Sequence, residues 1–221
     1  MGLKYTAIIR NVKYPRIEIK PSGEVRVIVP PEADPEELVR LKSEWISRKL
    51  REIDEIRNQF KGLSDKLLLN GEFYEVIRGE EFSVNPKFKV LILPKNDLKV
   101  LKRWLKDQLR RELDFKVRLF ASILGVKYRK VYIRFQRTKW ASCSKKGNLS
   151  FNLMLMALPE NLRDYIIIHE LAHLREPRHT RRFWGVIGMY YPDYKKAEAE
   201  LKRYWLLLEW NEVWETLRSV E

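Results

Sequence analysis

The chain has 221 residues, is 45% hydrophobic and carries 7 Trp, enough apolar material for one sizeable domain or a domain with a smaller module. A single cysteine excludes an internal disulfide and a cysteine zinc cluster, and 9 Gly with 10 Pro exclude collagen-like or low-complexity character. Lys and Arg number 44 against 30 Asp and Glu, a formal charge of +14. That excess suits a solvated, ion-paired surface, and also attraction to polyanions such as nucleic acid; it does not bear on fold.

Met1-Gly2-Leu3-Lys4 leads into mixed sequence without an apolar signal region. The longest apolar runs, Leu153 to Leu158 and Leu206 to Leu208, are too short to span a bilayer. A cytoplasmic protein with no membrane partner is expected.

Ile17 and Ile19, then Val25, Val27 and Val29, alternate with charged neighbours around Pro21-Ser22-Gly23, which predicts a hairpin. Asp34 is a natural N-cap with Pro35 in the first helical turn, and Leu38, Leu41, Trp45, Leu50, Ile53 and Ile56 stripe one helix to about residue 60. Asn70-Gly71 marks a two-residue turn between strands at 67–69 and 73–77, and a further strand at 88–93 ends at Pro94. Asp97 opens a long basic helix that Gly125 stops. Strands are expected at 131–136, 138–143 and 149–155, and helices at 160–174, 180–190 and 194–218. The fold class is α+β. A boundary near 95 divides a β-rich N-terminal module with one helix, 1–95, from a helix–sheet–helix domain, 96–221.

The informative stretch runs from Ile166 to His179 and contains His169-Glu170-Leu171-Ala172-His173, an H-E-x-x-H pattern. At about 100° per residue, positions four apart face the same way one turn apart, so His169 and His173 can both present a ring nitrogen to one Zn²⁺. Glu170 can then reach the metal's water rather than the metal and serve as general base. A catalytic zinc usually takes three protein ligands, and His179 is the obvious third, brought back by a turn that Pro177 enforces. The spacing is that of metzincins, which place glycine where Glu176 stands, so the turn must be made differently here. All 3 histidines of the chain fall in this one window. Scattered histidines would suit a metal-free helix; complete clustering at ligand spacing does not.

The sequence resembles the YgjP-like family of zinc metallohydrolases, related to the SprT-like and WLM metallopeptidases. The likeness rests on Arg137-Thr138-Lys139-Trp140-Ala141-Ser142-Cys143-Ser144 with Gly147, Leu149 and Ser150, on His169 to Leu174, His179, Arg182-Phe183-Trp184 and Pro192-Asp193-Tyr194. More loosely, the N-terminal hairpin with Gly23 and Val29-Pro30 also fits. The resemblance implies a gluzincin-type, zincin-like core with His169, His173 and His179 as metal ligands and Glu170 as catalyst. Two positions depart from the family pattern: Ala141 replaces a usual Gly, and Arg178 a usual Asn.

Three functions follow from these residues. The first is a zinc-dependent metallopeptidase acting on a peptide or protein. The second keeps the metal and hydrolyses a nucleotide or other anionic substrate. The third is a nucleic-acid-associated module with a metal site. Arg134, Arg137, Lys139, Lys145, Lys146, Arg175, Arg178, Arg181 and Arg182 flank the motif and would form the basic rim that the last two require. Phe183 and Trp184 are expected to pack so as to fix His179, and Trp140 to lie in the core. Cys143 is not expected to be a ligand. Tyr190, Tyr191 and Tyr194 are weaker candidates for stabilising an oxyanion.

Overall fold

The computed structural model describes residues 3–95 and 97–220. Met1 and Gly2, Asn96, beside the expected domain boundary, and Glu221 lie outside them. The chain divides into two compact units, 1–61 and 62–221.

In the first unit, β1 (Thr6–Ile9), β2 (Arg16–Ile19) and β3 (Val25–Val29) form a sheet of order β1-β3-β2, with β1 parallel and β2 antiparallel to β3. The β2–β3 hairpin is the expected one, turning through Gly23 at φ +87°. The valines that alternate along β3, Val25, Val27 and Val29, make the core with Val39 and Ile46. The helix expected from 35 to about 60 is two helices, α1 (Pro35–Leu41) and α2 (Ser43–Gln59), because Lys42 leaves helical geometry at φ −111°, ψ 10°. Asp34 caps α1 by accepting from the Glu36 N–H.

The second unit holds two sheets and five α-helices among the described residues. Strands β4 (Leu67–Leu69), β5 (Glu72–Gly79), β6 (Ser83–Asn85) and β7 (Val90–Pro94) are ordered β4-β5-β7-β6. Asn70 and Gly71 both have positive φ, 52° and 83°, as the tight hairpin turn requires. A Cβ on Gly71 would lie 3.1 Å from the Tyr204 hydroxyl, so that glycine is also needed for close approach. Helix α3 (Leu98–Leu124) is capped by Asp97 and ends at left-handed Gly125, as expected. It buries Leu101, Leu105, Leu109, Leu113, Val117, Ala121 and Leu124, one face at four- and three-residue spacing.

Strands β8 (Lys130–Arg134), β9 (Ala141–Cys143) and β10 (Asn148–Asn152) form the second sheet, order β8-β10-β9, which leaves β9 on an edge. The strand expected to reach Leu155 stops at Asn152, whose side chain caps a short 3-10 turn over Leu153–Ala157 and also donates to the carbonyls of Gln136 and Lys139 at 2.9 Å. Helices α4 (Glu160–Ala172), α5 (Arg181–Tyr190), α6 (Tyr194–Glu209) and α7 (Glu212–Ser219) follow. Asn211, capping α7 through the Trp214 N–H, breaks what was expected to be one helix over 194–218.

The sequence places the boundary near 95, whereas the compact units meet between 61 and 62. The reason is hydrogen bonding. Asn70 and Gly71 donate their N–H groups to the carbonyls of Met156 and Ala157 at 2.8 Å, and Trp214 Nε1 donates to the Leu68 carbonyl at 2.8 Å. These bonds tie the β4–β5 hairpin to the C-terminal half. Among the described residues no helix is long and apolar enough to cross a membrane.

Candidate metal centre

Helix α4 is buried on almost every side: Ile166, Ile167, Ile168, Leu171 and Ala172 have at most 4% exposure. Such a helix has little freedom to shift, so side chains on its last turn are fixed by the core. His169 and Glu170 stand on that turn. The helix ends at Ala172, with His173 as its cap residue at φ −62°, ψ −19°, its N–H still bonded to the His169 carbonyl. Helical geometry therefore persists through the second histidine. The Ala172 carbonyl accepts from the N–H groups of both Arg175 and Glu176, and the chain turns back before Pro177. No positive φ is used at Glu176, which is how this chain makes the bend without the glycine that metzincins place there.

The loop returns His179 to the other two imidazoles. His169 Nε2 and His179 Nε2 are 3.0 Å apart, and one nitrogen from each of the three rings falls within 4.8 Å of the others. His173 Nδ1 lies 3.3 Å from the Glu176 carbonyl, to which it donates, leaving its Nε2 bare. Burial, followed by the neighbouring His173 and His179, pushes the His169 pKa down to about 3. Burial also lowers His173. Neutral imidazole is the form that binds metals. This triplet could hold a metal ion.

Phe183 explains why the three rings meet. It is fully buried on α5, and its ring centroid lies 4.9, 4.6 and 4.7 Å from those of His169, His173 and His179. Trp184 stacks on His179 at 5.6 Å and on Tyr194 at 5.1 Å. Both aromatics do what the sequence suggests, and Phe183 contacts all three rings rather than His179 alone. Phe183→Ala is expected to cost about 3–5 kcal/mol of stability, read by chemical denaturation. It should also weaken metal retention, read by chelator competition.

Glu170 is 7% exposed, and its Oε2 has no hydrogen-bond partner among the described residues. Burial pushes its carboxyl up to about 7, against the opposing pull of the Lys139 charge and the Cys143 backbone. Beside it opens a cavity of ≈ 440 Å³ lined by His169 and Glu170 together with Trp140, Tyr165, Leu201 and Trp205. Trp140 meets Trp205 edge-on at 4.9 Å, so it lines this cavity as well as packing. The Cys143 thiol is pushed up to about 11, by burial first and then by Glu170, which keeps it protonated and unreactive at neutral pH.

The other candidates separate. Tyr190 donates to the Ile123 carbonyl at 3.5 Å, Tyr191 packs on Tyr165 at 5.2 Å, and Tyr194 stacks on Trp184. Of the basic rim, Lys139 acts on Glu170, while Arg175, Arg178, Arg181 and Arg182 are exposed around His179. Sequence reasoning missed Tyr165, whose hydroxyl lies 3.3 Å from His169 Nδ1. The signal was present: Tyr165 precedes His169 by four residues, one helical turn.

No curated protein matches the chain. A solved structure, the metallopeptidase zymogen of Pyrococcus abyssi abylysin, is 28% identical, with 40% of this chain and 90% of that chain covered and a TM-score of 0.38. The family model described as YgjP-like, metallopeptidase domain, matches residues 13–204, most of the chain and all of the histidine cluster. On that match the chain belongs to the YgjP-like family, as a carrier of its metallopeptidase domain.

Proposed function

We propose that the protein is a zinc-dependent metallopeptidase with a zincin-like catalytic domain in residues 62–221. In this reading His169, His173 and His179 hold the ion and Glu170 is the general base. The observation that carries it is the convergence of three imidazole nitrogens within 4.8 Å beside a buried carboxylate oxygen that has no hydrogen-bond partner among the described residues. Three neutral nitrogen donors fit zinc, and three protein ligands are the number used by catalytic sites, which keep one position open.

When bound, zinc supplies Lewis acidity, polarising a carbonyl and lowering the pKa of water to about 7. The remaining work belongs to the chain. Glu170 Oε2 takes a proton from the attacking water and delivers it to the leaving amine. The apolar walls of the adjacent cavity shield that transfer and receive a substrate side chain. An extended peptide adds along the edge strand β9, whose Cys143 backbone bonds Glu170.

Metal analysis tests this assignment. The purified protein should hold one zinc per chain, and His169→Ala, His173→Ala and His179→Ala should each lose it. Full zinc retention by any of the three would remove that residue from the ligand set.

A further inference from the structure

A histidine coordinates a metal through a nitrogen that carries no proton, so whatever fixes the proton on the other nitrogen chooses the ligand atom. For His173 that choice is made by a backbone carbonyl. For His169 it is made by a side chain, the Tyr165 hydroxyl, at 3.3 Å from Nδ1.

A hydroxyl can donate or accept, and the two cases have opposite consequences. If Tyr165 donated to Nδ1, the imidazole proton would sit on Nε2, the atom that faces His179. If Tyr165 accepts, Nδ1 carries the proton and Nε2 is bare. The surroundings decide between them. The Glu198 carboxylate interacts with the same hydroxyl from α6, and both residues line the cavity beside Glu170. A carboxylate only accepts, so it receives the phenolic O–H hydrogen bond and leaves an oxygen lone pair for His169. The ring cannot swing away: it is 2% exposed and packed against His169 at 5.7 Å and Tyr191 at 5.2 Å.

We propose that Tyr165 is a positioning residue for the metal centre, holding His169 in the tautomer that presents Nε2 to the ion, with Glu198 orienting the Tyr165 hydroxyl for that task. This rests on the reading that the three histidines hold a metal.

The test uses the full chain with Tyr165→Phe, Glu198→Gln and the double variant. Two quantities are read: zinc affinity by competition with a chromogenic chelator, and the His169 tautomer in the metal-free protein by ¹⁵N-resolved NMR of the imidazole. Tyr165→Phe keeps the ring and its packing, and should weaken zinc binding about 10–100-fold. It should also change the His169 tautomer from Nδ1–H to a mixture. Glu198→Gln should act in the same direction, and the double variant should be no weaker than Tyr165→Phe alone, because Glu198 acts through the tyrosine. An affinity within about fivefold of the parent for Tyr165→Phe, with the tautomer unchanged, overturns the proposal. Additive losses in the double variant overturn the part given to Glu198. A parent protein that binds no zinc overturns the reading of the site itself, and the inference with it.

Discussion

Glu170→Gln should leave zinc bound and reduce peptide hydrolysis by about 10²–10⁴-fold, the contribution typical of a positioned general base. Glutamine keeps the length and planarity of the side chain and fits a position that is 7% exposed. Position 170 is not one of the three histidines assigned to the ion, so metal content should match the parent. What glutamine loses is an oxygen able to take and return a proton. The fall should appear in kcat and in kcat/KM together, because the missing interaction acts in the transition state rather than in ground-state binding. Hydrolysis within tenfold of the parent, at equal zinc content, would remove Glu170 from its assigned role.

A large stability effect is expected at Arg163, on the opposite end of α4 from the histidines. Its side chain is 8% exposed and bonds Glu112 on α3 at 2.8 Å, Asn70 in the β4–β5 turn at 2.8 Å, and the Leu158 carbonyl. Glu112 also pairs with Lys116 at 3.1 Å, and Lys116 reaches Glu160 at 2.8 Å and Asp164 at 2.5 Å. Burial lowers the Lys116 pKa, but the three carboxylates outweigh it and hold the ammonium above its ordinary range. Arg163→Leu breaks this network at its most buried point. Removing one partner of a buried pair costs about 3–5 kcal/mol, chiefly through the polar groups left behind. Urea unfolding followed by tryptophan fluorescence reads the loss in the right unit, since every tryptophan but Trp45 lies in 62–221. A change below about 1 kcal/mol would mean that water replaces the guanidinium without strain.

These two sites differ in how far the sequence reveals them. The histidine cluster is legible because helical periodicity converts a four-residue interval into a shared direction, and because no histidine lies elsewhere. The Asp34, Asp97, Gly125 and Asn70-Gly71 signals are legible because each answers a local backbone demand. The Arg163 network is not, because it joins residues 93, 51 and 5 positions apart. Nothing local in Asn70 or Glu112 marks them as its partners. The same holds for the division of the chain: Pro94 and Asp97 look like a boundary, but the bonds from Asn70, Gly71 and Trp214 that cross it are invisible in the composition. The breaks at Lys42 and Asn211 are local, yet each lies within an apolar stripe that continues across it, so periodicity alone joins the flanking helices. Phe183 shows the middle case. Its place after the third histidine suggests packing against His179, but contact with all three rings depends on the return path of the loop.

That packing has a bearing on how the protein would handle its ion. In small zinc modules the ion organises the chain, so that loss of metal is loss of fold. Here the three imidazoles rest on one hydrocarbon ring that the core already immobilises, and two of them are further fixed by bonds from Nδ1. The entropy of arranging the ligands is settled during folding, before any ion arrives. Stripping and returning the metal should therefore be a reversible exchange at constant helical content, governed by chelator strength and not by refolding.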